Sequence, residues 1–362
     1  MELNKVYKNK NILITGHTGF KGSWLALWLS KLGGNIYGYS LPPNSKPNHY
    51  TVASIHDILT SECIADILDR NTLTEYIQAI EPECIFHLAA QPLVRRSYAE
   101  PVETFGTNVM GSIYLMDAVR KLGEPCSIVM ITSDKCYENT GKAEGYVETD
   151  PMGGHDPYSA SKGCAELAIA SYRRSFFPPE DIEKHGVMLA SVRAGNVIGG
   201  GDWAEDRIIP DAVRAVTSGK SLEIRSPNAV RPWQHVLEPL SGYLLLAAKM
   251  METKSAIYSD GWNFGPKETC HPITVAEIID TFYNVWGQGK AQYDTKTRSL
   301  HEAAFLTLSS RKAEKVLGWK QQWSVEQTIK RTAEWYKNYY TGTDARELSQ
   351  TDIATYTKQL EY

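Results

Sequence analysis

Between Thr132 and Lys162 the chain reads TSDKCYENTGKAEGYVETDPMGGHDPYSASK, and this stretch holds most of its candidate chemistry. Tyr158 and Lys162 are four residues apart and open an apolar-periodic run, Cys164, Ala165, Leu167, Ala168 and Ile169, whose spacing predicts a helix. On a helix the two side chains share a face. A phenol with an ordinary pKa of about 10 is a poor base at neutral pH, but an ammonium one turn away favours the phenolate and should lower that pKa. Such a tyrosine can take or give a carbinol proton. Upstream, Ser133, Asp134 and Lys135 set a hydroxyl, a carboxylate and an amine side by side, directly after the apolar run Ser127–Ile131.

These residues need elements to position them. The run at 127–131 has the continuous apolar character of a strand buried on both faces. Near the N-terminus, Asn11–Thr15 is a second apolar strand, followed at once by Gly16-His17-Thr18-Gly19-Phe20-Lys21-Gly22 and then by an apolar helix over 23–31 ending at Gly33-Gly34. Strand, glycine loop and helix in that order form a dinucleotide cradle, in which bare backbone approaches a pyrophosphate and the helix N-terminus meets its charge. Asn35–Tyr39 is the next strand. Where an NAD ribose is normally held by a carboxylate the chain has Tyr39, Ser40 and Leu41, so cofactor choice is not legible at that point. Asp66 is placed to meet an adenine amino group, and the strand at 84–88 runs into the small residues Ala89 and Ala90, which let a flat cofactor pass close.

Alternation of strand and helix through Val197 predicts an α/β fold, a Rossmann-type doubly wound parallel sheet, with a smaller C-terminal α/β substrate-binding lobe. In such sheets ligands bind at strand C-termini, which gathers the glycine loop, Ala89-Ala90 and Ser133-Asp134-Lys135 around one crevice. Residues 1–195 and 232–265 are assigned to the cofactor domain, 196–231 and 266–340 to the substrate domain, and 341–362 to a polar tail. Helices are expected over 237–251, 274–286 and 325–340, and a strand end at 261–265. The tryptophans at 24, 28, 319, 323 and 335 fall at apolar positions and are read as packing.

Composition narrows the function classes. The 362 residues carry 42% hydrophobic and 22% charged side chains and a formal net charge of −4, with no basic tract, which argues against nucleic acid or an anionic membrane as main partner. The six cysteines are scattered without a C-x-x-C pair, and the histidines at 17, 87, 155 and 235 lack ligand spacing, so neither a metal nor a disulfide framework is expected. The N-terminal residues lack an apolar signal core and no run reaches membrane-span length, which reads as a cytoplasmic protein.

With G-x-x-G-x-x-G at 16–22 and Y-x-x-x-K at 158–162, the chain resembles the extended short-chain dehydrogenase/reductases over nearly its whole length. The longer strings at 16–25, 132–139, 150–158 and 231–236 are similar to those of the sugar-nucleotide 4,6-dehydratases, with CDP-glucose the substrate they point to. That resemblance implies NAD as cofactor, oxidation at C4, loss of water across C5 and C6, and return of the hydride to C6. It implies Tyr158 as the base at O4, Ser133 as its hydrogen-bond partner, Lys162 on the nicotinamide ribose, Asp134 as the acid at O6 and Lys135 as the base at C5, in a pair where the commoner pattern is Asp-Glu. Lys135 must be neutral to act, a state that burial and nearby positive charge favour. The resemblance also implies cofactor contacts at Gly16, Thr18, Gly19, Phe20, Lys21, Gly22, Asp66, Ile67, Leu88, Ala89, Ala90, Thr107, Tyr158, Lys162 and Arg193. Substrate contacts are expected at Asn196, Arg207, Arg231, Gln234 and Arg298, the arginines on the diphosphate, whose geometry a guanidinium fork matches. Relatives pair through the helix that carries Tyr158 and Lys162, so a homodimer or homotetramer is expected.

Overall fold

The computed structural model describes residues 2–142, 144–224, 226–267, 273–293 and 306–361. Seven strands form one parallel sheet: β1 (Asn11–Thr15), β2 (Asn35–Ser40), β3 (Ser61–Ile64), β4 (Cys84–His87), β5 (Cys126–Ile131), β6 (Val187–Ala194) and a seventh, Gly261–Phe264. Their spatial order is the seventh strand, β6, β5, β4, β1, β2, β3. The order reverses between β1 and β4, which is where a crevice opens above the strand ends. Register is in step there, with Thr15 beside His87 and beside Tyr39. Apart from the edge strand β3, the strands are buried almost throughout because helices cover both faces.

Two layers of core follow. One face packs Ile14, Phe86, Val129 and Val192 against the helices Phe20–Lys31 and Leu237–Thr253. The other packs Leu13, Ile85, Ile128 and Leu189 against Arg70–Ile80, Gly111–Leu122 and Pro157–Ser175. Alternate residues of each strand thus serve opposite layers, as the pleat requires. The tryptophans at 24, 28, 319, 323 and 335 are each no more than 2% exposed, so packing explains them.

Beyond β6 the chain adds short parallel pairs. Strand β7 (Val197–Ile198) pairs with β9 (Gln234–His235), and β8 (Leu222–Ile224) pairs with β11 (Ala291–Tyr293); the seventh strand of the main sheet is β10. Helices Ile208–Thr217, Val275–Trp286 and Val325–Tyr340 complete this part. Thr274 with Glu277 and Ser324 with Gln327 form capping boxes that fix where the last two begin.

The polar tail expected at 341–362 contains a helix, Ala345–Thr357, whose Ala345, Ser349, Asp352, Ile353 and Tyr356 are buried. Tyr356 donates to Glu238 at 2.7 Å, and Ser349 bonds His49 at 2.8 Å, so this helix belongs to the core. No helix among the described residues is long and apolar enough to cross a membrane.

Candidate active site

The glycine loop leaves β1 with Gly16 at a φ of +76°, where its amide donates to the Tyr39 carbonyl at 2.8 Å. A Cβ on Gly16 would lie 2.7 Å from the Ala89 amide nitrogen, and one on Gly22 only 2.2 Å from the Gly16 carbonyl oxygen. The backbone is therefore bare by necessity. Gly19 caps the Phe20–Lys31 helix without any side-chain acceptor, leaving the first amides of that helix for an anion. Thr18 ties the loop to the end of β2 through Ser40 and the Leu41 carbonyl, at 2.8 and 2.9 Å. Leu88, Ala89 and Ala90 leave β4 half-buried beside this loop, and the Leu88 amide donates to the Thr15 carbonyl at 3.0 Å. Asp66 is exposed and caps the Leu68 amide at 2.9 Å, while Ile67 is buried. Together these residues form a cradle suited to a dinucleotide.

At the end of β5, Ser133 caps a single 3₁₀ turn, Asp134–Cys136, by accepting from the Lys135 amide at 3.2 Å. Its hydroxyl donates to Asp134 Oδ1 at 2.9 Å. Asp134 Oδ2 is buried with no partner among the described residues, beside Gly195. Burial pushes the Asp134 carboxyl above the usual range, although Lys135, Ser133, Lys21 and Arg231 pull it down. A carboxyl whose protonated form is favoured by burial and that keeps a free oxygen is equipped to donate a proton.

Across the crevice, Asp156 accepts from the Ser159 amide at 2.9 Å and Pro157 occupies the first turn, which fixes the start of the helix that carries Tyr158 and Lys162. Both are buried. Lys162 Nζ donates to the Ile131 carbonyl at 3.4 Å, and burial lowers it to about 8, with Glu166 opposing. The expectation that Lys162 lowers the Tyr158 pKa is corrected. Burial pushes Tyr158 up to about 12; Ser133, hydrogen-bonded to it, and Arg207 pull it down, and Asp134 and Asp156 push it further up. Desolvation of the phenolate is the largest influence, and the cations that act on Tyr158 are led by Arg207.

Lys21 enters the same space, lowered to about 8 by burial and by Arg207 and Lys162, against Asp134. Arg207 pairs with Asp202 at 2.8 Å and acts on both Lys21 and Tyr158. Arg231 is half-buried, donates to the Val230 carbonyl at 2.9 Å, and acts on Asp134. The structure thus gathers Ser133, Asp134, Lys135, Tyr158, Lys162, Lys21, Arg207 and Arg231 around one crevice. Asn196 is half-buried, its carbonyl accepting from the Gln234 amide at 3.1 Å. Gln234 is fully buried with its amide on the Phe264 carbonyl at 2.9 Å, and Arg193 is committed to Glu166 at 2.8 Å. Arg298 lies outside the described residues.

Asn108, which the sequence did not mark, helps to hold the frame. Thr107 lies in a widened π-type turn, Gly106–Met110, and the next residue, Asn108, donates to Ser161 Oγ at 2.8 Å and to the Gln91 carbonyl at 3.2 Å. Ser161 in turn donates to the Tyr158 carbonyl at 2.7 Å, and so links the helix start to β4. An asparagine within a helical run carries no signal of this in the sequence. His87, neutral because burial lowers it to about 3, bonds Thr15 at 2.8 Å and Ser112 at 3.2 Å beneath the crevice. Among the described residues no group of three or more His, Cys, Asp or Glu could hold a metal ion.

The sequence profile described as GDP-mannose 4,6 dehydratase matches residues 13–332. The chain belongs to this family. Among its relatives, a CDP-glucose 4,6-dehydratase of Salmonella typhimurium is 46% identical over 350 residues, covering 97% of both chains. Members of the wider fold superpose over almost their full length. A dTDP-glucose 4,6-dehydratase from Bacillus anthracis, solved with NAD, has a TM-score of 0.74 at 22% identity and covers 93% of this chain and 99% of that one. A UDP-glucose-4-epimerase from Stenotrophomonas maltophila, solved with NAD and a formylated UDP-arabinopyranose, has a TM-score of 0.77 at 21% identity, covering 92% and 100%. Dehydratase and epimerase thus share one scaffold, and what distinguishes a family member is the side chains at its strand ends.

Proposed function

We propose that this protein is a CDP-glucose 4,6-dehydratase, an NAD-dependent hydro-lyase that converts CDP-D-glucose to CDP-4-dehydro-6-deoxy-D-glucose and water. One observation carries the reading: a buried acid with a free oxygen, Asp134, stands beside Lys135 at the end of β5, in the same crevice as Tyr158. A 4-epimerase needs only the tyrosine, whereas elimination also needs an acid at O6 and a base at C5. The high identity to the Salmonella enzyme supports the nucleotide assignment.

Tyr158 takes the proton from O4 while Ser133, hydrogen-bonded to it, steadies the oxygen as it becomes a carbonyl. The C4 ketone acidifies the C5 hydrogen. Lys135 removes that proton, Asp134 gives its own to the departing C6 hydroxyl, and water leaves to form the C5=C6 bond. The Lys135 ammonium then returns its proton to C5 as C6 is reduced, and the proton that Tyr158 took from O4 passes through the Ser133 hydroxyl, which is bonded to both, to the Asp134 carboxylate, restoring both groups for the next substrate. The glycine loop, Leu88–Ala90 and Lys162 would hold NAD, which would accept the hydride from C4 and return it to C6, its positive charge favouring the Tyr158 phenolate. Arg207 and Arg231 meet the diphosphate.

We assign residues 1–195 and 232–265 to the cofactor domain and 196–231 and 266–340 to the substrate domain, a division supported by the pairing of β10 with β6. Pairing of two copies through the Pro157–Ser175 helix fits its exposed Leu167, so a dimer or tetramer is the expected assembly. We place the enzyme in the cytoplasm, supplying a deoxysugar for cell-surface polysaccharide such as lipopolysaccharide O-antigen. Purified protein given NAD⁺ and CDP-, dTDP-, UDP- or GDP-glucose in separate reactions tests the assignment: a 4-keto-6-deoxy product with CDP-glucose is expected. A product from another nucleotide alone overturns the base assignment, and galactose in place of a keto sugar overturns the reaction.

A further inference from the structure

The acid–base segment is gripped at both ends by one buried ion pair. Thr132, immediately before Ser133, donates from its hydroxyl to Glu166 Oε1. Tyr137, two residues after Lys135, accepts at its hydroxyl from Arg193 Nη1 at 2.6 Å and donates to Asn263 on β10 at 2.8 Å. Glu166 sits one helical turn beyond Lys162 on the same helix face. Arg193 lies on β6 and holds Glu166 with a two-pronged fork, Nε to Oε1 at 3.0 Å and Nη2 to Oε2 at 2.8 Å. Its Nη1 also reaches the Glu148 carbonyl at 3.0 Å, and Ser191 donates to Glu166 Oε2 at 2.8 Å. Glu166 and Arg193 are only 4% and 5% exposed.

We infer that Thr132, Tyr137, Glu166 and Arg193 form a positioning clamp that holds Asp134 and Lys135 in register with Tyr158 and Lys162, and so serves the elimination half of the reaction. The inference rests on the dehydratase reading. Its physical basis is a contrast in support. Tyr158 and Lys162 ride on a 19-residue helix. Asp134 and Lys135 ride on a three-residue 3₁₀ turn, a weak element with little rigidity of its own. Apart from the Gly153 amide, which donates to the Cys136 carbonyl at 2.9 Å, what fixes that turn is its two ends, and both lead to the same pair. A buried, fully hydrogen-bonded pair of this kind adds little net stability over apolar residues of similar shape, so its function is better sought in geometry. C4 oxidation uses the helix residues with Ser133 alone from the turn side; C5–C6 elimination also needs Asp134 and Lys135 in register with them.

Tyr137→Phe removes one oxygen and leaves the ring, which stacks on Tyr146 at 5.2 Å and lies 5.1 Å from the Arg193 guanidinium carbon. The variant is mixed with NAD⁺ and CDP-glucose in a stopped-flow spectrometer, with reduced nicotinamide followed by its absorbance and product by NMR. Relative to wild type, kcat is expected to fall about tenfold with KM within about twofold, while reduced cofactor builds up because oxidation outruns elimination. Thr132→Val releases the other end and carries the same expectation should Tyr137→Phe not fold. Unchanged kcat, or oxidation and elimination slowed equally, overturns the clamp. Wild type that makes no 4-keto-6-deoxy sugar overturns instead the dehydratase reading beneath it.

Discussion

Asp134 is the residue on which the proposed chemistry turns. Burial favours its protonated form, and its unpartnered Oδ2 leaves one oxygen free for a ligand. Replacing it by asparagine keeps the shape and removes the acid. Asp134→Asn is expected to lower turnover by about 10²- to 10⁴-fold while oxidation at C4 persists, seen as reduced cofactor that forms but does not return to NAD⁺. Turnover at the wild-type rate would remove Asp134 from the mechanism. The types and order of Ser133, Asp134, Lys135, Tyr158 and Lys162 were legible in the sequence because they adjoin a buried strand and a periodic helix. What was not legible was how strongly each is desolvated. Four-residue spacing says that an ammonium is near Tyr158, but not that it donates to the Ile131 carbonyl or that burial dominates the phenol. Likewise Arg193, expected as a cofactor contact, gives no sign in the sequence that it is committed to Glu166.

At the scale of elements, the glycine loop and the Ala345–Thr357 helix mark the two extremes of legibility. The loop declares itself because bare backbone must be written as glycine. At Gly22 the position a Cβ would take is 2.2 Å from a carbonyl oxygen, so Gly22→Ala is expected to shift the helix start and weaken NAD binding at least tenfold, measurable by calorimetry. Binding as tight as wild type would contradict this placement of the cofactor. The last helix hid itself because its buried face includes Ser349 and Asp352, which read as surface residues until His49, Trp335 and Arg331 supply their partners. Its docking partner Glu238 accepts from Tyr356 and from the Gln322 and Trp323 amides, yet burial raises it from 4.5 to about 7. Folded protein then holds a proton between those values that unfolded chain has released. Stability from this group is full below about pH 4.5 and is lost as pH rises towards 7, on the order of 3 kcal/mol in all. Glu238→Gln is expected to flatten the fall in thermal midpoint over that window, and an unaltered slope would show that Glu238 does not titrate there.

The whole molecule follows from strand order. Alternating strands and helices foretold a doubly wound sheet, and the reversal between β1 and β4 brings the ends of β1, β4, β5 and β6 to one crevice. Sequence pattern alone could not set the lobes against each other, since Arg207 and Arg231 reach the crevice through loops whose paths no periodicity encodes. That arrangement makes a closed cycle possible: one crevice holds the hydride acceptor, the base at O4 and the acid–base pair at C5 and C6, so nothing need leave between oxidation and reduction. The measurement that tests this most directly is NMR of the product from CDP-glucose deuterated at C4, turned over with NAD⁺ in ordinary water. Deuterium is expected at C6 of a 4-keto-6-deoxy sugar, carried there within a single active site. A 4-keto-6-deoxy product with only protium at C6, or deuterium retained at C4 of an epimerised sugar, would contradict it.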